Sequence, residues 1–212
     1  TNLVFDNKKN TTSITDILEV PNGDYWLASW GEGVRSLDKD FQVIVNDVYK
    51  TAAPANWTIN QKNAAKLTWN LCRESATGNI WIGCNDGILL IHDPKTKHTR
   101  YLEPEACNKS TIRFMVEDKT GNIWLGTQGG RLIRHQQGQF TVMQDIGTII
   151  YKIFIDRQGW IWLATHEKGL YAINPANGAI MQHYTSESRT GRLYSNTGND
   201  IEQLNDSLIV YG

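Results

Sequence analysis

Side chains able to grip a polar ligand recur in this chain at one fixed spacing. Eight residues before a turn glycine stand Thr15, Asn70, Arg113 and Tyr151, four unlike side chains in a single register. A second variable set follows each of four tryptophans: Trp30-Gly31-Glu32, Asn85-Asp86, Gln128-Gly129 and His166-Glu167-Lys168. Aromatic faces beside planar hydrogen-bonding groups are the combination that holds sugar rings. Trp30, Trp69, Asn70, Arg113, Tyr151, His166 and Glu167 are therefore the expected ligand-binding residues, on a polar, aromatic-lined face.

The same reading finds little for catalysis. His92, His98, His135, His166 and His183 show no metal-ligand spacing. There is no nucleophile elbow and no phosphate-binding glycine loop. Carboxylates such as Glu117-Asp118 stand at strand-to-turn junctions, where Glu19, Glu74 and Asp156 recur, so they read as scaffold. We expect no catalytic residue, no metal and no cofactor in this segment, and no enzyme.

The elements that must position these residues come from a repeat. The tetrads Gly23-Asp24-Tyr25-Trp26, Gly78-Asn79-Ile80-Trp81, Gly121-Asn122-Ile123-Trp124 and Gly159-Trp160-Ile161-Trp162 share one pattern. After each tryptophan come an apolar residue, then Ala or Gly, then Ser, Cys or Thr; a second glycine follows at Gly33, Gly87, Gly130 and Gly169. Each copy holds four short runs of β-branched and aromatic residues bounded by turns, which predicts four antiparallel strands. The tryptophans recur at intervals of 55, 43 and 38 residues, bracketing the ~40–50 residues of a propeller blade. One such blade buries too little to stand alone, so blades must stack around an axis.

The sequence therefore predicts an all-β chain, a β-propeller of four-stranded antiparallel blades. The expected spans are 12–47, 67–103, 110–144 and 148–185, with 199–212 opening a further blade. The conserved-type glycines Gly23, Gly78, Gly121 and Gly159 belong in hairpin turns. Trp26, Trp81, Trp124 and Trp162 are read as structural, presenting apolar surface between blades rather than a binding platform. Residues 54–66 form the one stretch with helical periodicity, an insertion between the first two copies. At the start, Leu3-Val4-Phe5-Asp6 reads as a strand of a preceding or closing blade, so residues 1–6 either close a five-bladed ring or belong to a longer propeller. The longer propeller, of the seven-bladed type, is preferred, because a closing blade would be one strand short.

Composition bounds the function classes. Hydrophobic residues make up 40% and charged residues 20%, with a net charge of −1, ordinary for a globular protein. A nucleic-acid binder would show a basic excess or stripe, and none is present. No apolar run approaches the ~18 residues of a membrane span, and Thr1 to Asn10 lack the apolar core of a leader. Cys72, Cys84 and Cys107 cannot all pair; they read as plain thiols, with a Cys72–Cys84 bridge across a hairpin left open.

Two stretches carry a family resemblance. Gly121-Asn122-Ile123-Trp124-Leu125-Gly126-Thr127 after Glu117-Asp118, and Gly78-Asn79-Ile80-Trp81-Ile82-Gly83 before Asp86-Gly87, resemble two-component regulator propeller repeats. The resemblance implies the periplasmic sensor region of a hybrid two-component system histidine kinase, binding an oligosaccharide. Occupancy would be relayed to a kinase through a membrane span outside this chain, with a homodimeric parent compatible with it. A protein-interaction propeller is the alternative. Some propeller lyases carry a comparable repeat with a histidine, an acid and a divalent metal, but here only His166-Glu167 could begin such a site.

Overall fold

The computed structural model describes residues 13–45, 48, 53–206 and 208–212. The first sheet runs β1 (Ile14–Glu19), β2 (Tyr25–Ser29), β3 (Gly33–Leu37) and β4 (Val43–Val45). The second runs β5 (Thr68–Arg73), β6 (Ile80–Cys84), β7 (Leu89–Asp93) and β8 (His98–Leu102). The third comprises β9 (Ile112–Glu117), β10 (Ile123–Thr127), β11 (Arg131–Gln136) and β12 (Gln139–Asp145). The fourth comprises β13 (Ile150–Ile155), β14 (Ile161–Thr165), β15 (Leu170–Ile173) and β16 (Ile180–Tyr184). A two-stranded sheet follows, β17 (Ile201–Asn205) with β18 (Leu208–Tyr211).

Every four-stranded sheet is antiparallel with its strands in sequence order. The first strand of each sheet packs beside the first strand of the next, from β1 through β5, β9 and β13 to β17. Up-and-down sheets radiating from such a row of inner strands are the blades of a β-propeller. The predicted strand Leu3–Asp6 lies outside the described residues, as do the outermost residues of the span expected for the first blade. The predicted helical stretch contains a single short helix, α1 (Ile59–Ala64), started by a Thr58–Gln61 capping box. No described helix is long and apolar enough to cross a membrane.

Apolar cores lie between blades. Trp26 packs with Leu71, Ile80 and Ile82 of the second blade. Trp81 joins Ile112, Met115 and Ile123 of the third, and Trp124 joins Ile150, Ile153 and Ile161 of the fourth. Trp162 faces Ile201, Ile209 and Tyr211 but remains half-buried, since β17 and β18 offer it two strands rather than four. All five residues of β6 and of β10 are buried, as expected for strands covered on both faces.

The repeated glycines answer to backbone geometry. Gly23, Gly78, Gly121 and Gly159 all have φ between +81° and +92°, the region where only glycine is unstrained. Gly130 (φ +100°) is also crowded, since a Cβ there would sit 2.5 Å from the Gly147 nitrogen. The small polar residue closing each tryptophan strand serves the same corner. Ser29 Oγ donates to the Gly33 carbonyl at 2.8 Å and Thr165 Oγ1 to that of Gly169 at 2.6 Å, while Thr127 Oγ1 accepts from Arg131 N at 2.9 Å. Cys84 fills this slot with a buried thiol pointing at the Ala65 carbonyl, 3.3 Å away.

Candidate functional site

The inner strand of each four-stranded blade starts with a bulge. The pairing of β1 with β2 jumps from Ile14 to Asp16, and that of β5 with β6 from Thr68 to Asn70. The same jump passes over Arg113 in β9 and Tyr151 in β13. Thr15, Trp69, Arg113 and Tyr151 are thus the extra residues of four equivalent bulges. Bulges re-aim side chains, and these four line one cavity of about 310 Å³ where the inner strands converge.

This corrects the register read from the sequence. Arg73 pairs with Ile80 where Glu117 pairs with Ile123, so the turn of the second copy holds one more residue. Counting back from Gly78 therefore lands on Asn70, whereas the structural equivalent of Thr15, Arg113 and Tyr151 is Trp69. Trp69 was expected in the site on its own chemistry, and the bulge gives the reason it is there.

The rings form a continuous run. Trp30, 43% exposed, meets Trp69 edge-on with centroids 4.7 Å apart. The Arg113 guanidinium lies over Trp69 at 3.5 Å from the ring centroid, and 5.6 Å from that of Tyr151. Tyr151 meets His166 edge-on at 5.9 Å, its hydroxyl 3.4 Å from Nδ1. His166 Nε2 reaches Glu167 Oε1 at 3.7 Å on the exposed outer side. The indole of Trp69 is held by donating Nε1–H to Asn85 Oδ1 at 2.7 Å. Burial lowers the Arg113 pKa, a fall opposed by the Tyr151 hydroxyl. Six of the seven expected residues therefore stand in one chain of contacts from Trp30 to Glu167.

Asn70 belongs to a second tier, one residue further along each strand. It is buried, its Nδ2 donating to Asp16 Oδ2 at 2.7 Å and its Oδ1 accepting from Met115 N at 2.7 Å. One amide thereby ties three blades. Asp16 Oδ2 also accepts from Leu71 N at 2.8 Å. Lys152 lies 5.0 Å from the Phe114 ring centroid and pairs with Asp200 Oδ1 at 2.7 Å. Asp16, Phe114, Lys152, Asn199 and Asp200 line the same cavity and were missed. The signal for the first three was available, because Asp16, Phe114 and Lys152 share one register with Asn70 once the extra turn residue is allowed for.

Other candidates fall elsewhere. Asp118 and Asp156 accept the indole N–H groups of Trp124 and Trp162, both at 2.8 Å, which is the scaffold role expected of these carboxylates. Burial works to raise the Asp118 pKa, but hydrogen bonds from Trp124, Thr120 and Asn122 hold it below the ordinary value. Cys72, Cys84 and Cys107 are free and buried, and burial pushes Cys72 and Cys107 up to about 12. Among the described residues no three His, Cys, Asp or Glu side chains cluster at metal-binding distance. A larger cavity of about 800 Å³ lies between the fourth blade and β17–β18, lined by Trp162, Tyr184 and Tyr211. It marks the stretch of blade face that four strands cover elsewhere and two cover here.

Comparison with known proteins places this geometry in context. Residues 108–129 match the family model described as a two component regulator propeller. No curated protein matches the chain. Among solved structures, the chain resembles the extracellular domain ascribed to the hybrid two component system BT3049 of B. thetaiotaomicron, with TM-score 0.71 and 21% identity over 94% of this chain. A second extracellular domain from the same organism, BT4673, gives TM-score 0.72 and 19% identity over 91%. The chain spans about a quarter, 25%, of the length of each. The WD40 β-propeller domain of Doa1 gives TM-score 0.67 and 13% identity, covering 96% of this chain and 63% of that one. At these identities the likeness is one of fold.

Proposed function

We propose that this chain, which carries a two-component regulator propeller repeat at 108–129, is the ligand-recognising part of an extracytoplasmic sensor. It takes an oligosaccharide at the mouth of its inner-strand cavity, and occupancy is relayed to a histidine kinase outside the chain. The periplasm is the compartment this reading requires. One observation carries the ligand assignment: four bulges gather Trp69, Arg113 and Tyr151 around one cavity, and contacts extend the run to Trp30 and His166. Rigid rings beside an arginine offer a sugar both apolar faces and directional donors. The extracellular domains named above, similar in fold, support the compartment and the signalling role.

The reading is tested by thermal shift of the full chain against a panel of neutral and acidic oligosaccharides. A native-state ligand at 100 times its Kd stabilises by about 2.7 kcal/mol. We expect a concentration-dependent rise in Tm for one glycan class, abolished in a Trp69→Ala, Tyr151→Ala double variant. A panel with no such shift, and a protein partner recovered instead, would replace this reading with that of an interaction propeller.

A further inference from the structure

Among the described residues the arginine at the mouth, Arg113, has no acid paired with it and makes no hydrogen bond; its contacts are the two rings that flank it. The other charges of the cavity are committed. Asp200 Oδ1 lies 2.7 Å from Lys152 Nζ. The Asp16 carboxylate accepts from Leu71 N, Asn70 Nδ2 and, through Oδ1, Ile17 N at 2.9 Å. Glu167 lies against His166 at the outer end of the run. A half-buried guanidinium stacked on one ring, close to a second and with its N–H edge unclaimed is built to meet a planar anion.

We propose that Arg113 is the anion-recognising residue of this site and that its oligosaccharide is acidic, carrying a carboxylate or sulfate ester. This rests on the oligosaccharide reading above and narrows it. The stack on Trp69 fixes the guanidinium plane, so the fork is oriented before ligand arrives and little rotamer entropy is lost on binding. The charged group of the sugar lies in the N–H fork, and the pyranose ring lies against Tyr151 or Trp30, the next rings of the run on either side of Arg113 and Trp69. A cavity of about 310 Å³ is at the small end of ligand sites. It accommodates a terminal acidic residue rather than the interior of a long chain.

Matched glycan pairs test this by calorimetry on the full chain. One pair is trigalacturonate and its methyl ester; the other is a galactose trisaccharide with and without a sulfate ester, and a glycan array of further acidic and neutralised pairs extends both. The free acid or the sulfated member should bind, and whichever pair responds identifies the anion. Arg113→Ala should weaken that binding roughly 10- to 100-fold, the range for a hydrogen bond to a charged group. Arg113→Lys, which keeps charge but not the fork, should recover only part of it. Circular dichroism and the melting curve of each variant establish that it is folded, and Arg113→Gln replaces Arg113→Ala if that protein is not. Equal binding of acidic and neutralised members, or unchanged affinity in folded Arg113→Ala and Arg113→Gln, overturns the acidic assignment and leaves the sensor reading standing. No binding by any glycan overturns both.

Discussion

Thr15, Trp69, Arg113 and Tyr151 ring the mouth, and the very next residue on each strand, Asp16, Asn70, Phe114 and Lys152, ties blade to blade. The two tiers sit one residue apart in sequence. In the first, Thr15 (through its hydroxyl on the Thr68 carbonyl), Trp69 (through Asn85) and Tyr151 (through His166) each make one polar contact, and Arg113 makes none among the described residues. In the second, Asp16 and Asn70 spend theirs on neighbouring blades. The bulge makes the division, since it takes one residue out of the ladder and returns the next to it. A propeller can therefore vary its first tier with little cost to stability, while a change in the second is felt across blades.

That contrast is most exposed at Asn70. Removing its amide in Asn70→Ala leaves the Met115 N–H without a partner and takes one donor from Asp16. Each orphaned buried group costs about 1–3 kcal/mol, so we expect a loss near 3 kcal/mol. For a chain of this size that is a fall in Tm of about 6–12 °C, read by calorimetry or urea denaturation. A loss under 0.5 kcal/mol would mean that the second tier does not clamp the blades. Lys152→Met comes next. It removes the contact with Phe114 and the pair with Asp200, whose side chain is 71% exposed, so the expected cost is about 1 kcal/mol.

Arg113→Ala sharpens the comparison from the other side. It forfeits only ring contacts, and the expected change in stability is within about 1 kcal/mol, measured in the same urea series. A loss as large as that of Asn70→Ala would place Arg113 in the scaffold and erase the distinction between tiers. The pairing of the two results is what matters, because each alone could reflect local repacking.

Much of this was legible in the sequence. The blades follow from the Gly-x-x-Trp spacing, and each of the four complete copies forms the four-stranded antiparallel sheet that its short apolar runs predict. Phe41 lies outside β4, with φ 62° and its ring stacked on Tyr25 in the turn before Val43. The site was legible as a list of residue types but not as two tiers. Strand pairing, not glycine spacing, fixes which side chain is bulged, and one extra residue in the turn before Gly78 was enough to exchange Trp69 for Asn70. The Trp81 indole gives a related lesson. Its N–H is buried without a hydrogen-bond partner among the described residues, whereas Trp124 and Trp162 have Asp118 and Asp156. The longer turn of the second copy carries Glu74 and Ser75 at this junction, and neither reaches the Trp81 indole as Asp118 and Asp156 reach theirs.

The smallest expected effect concerns the charge that the second tier buries. Burial raises the Asp16 carboxyl above its ordinary value, although hydrogen bonds from Leu71, Ile17 and Asn70, and the charge of Lys152, each pull it back. The folded chain then holds this proton more tightly than the unfolded chain does. Stability from Asp16 is complete below the unfolded value, about pH 4, and is lost as pH rises through the raised one. Asp16→Asn carries no such titration. The difference in urea midpoint, variant minus wild type, should accordingly grow in favour of the variant between pH 4 and pH 6. Lys152→Met removes a cation that favours the carboxylate, so in that background the slope should steepen. A difference running the other way would mean that the clamp prefers Asp16 charged, and that its attraction to Lys152 outweighs the burial that the neighbouring blade imposes.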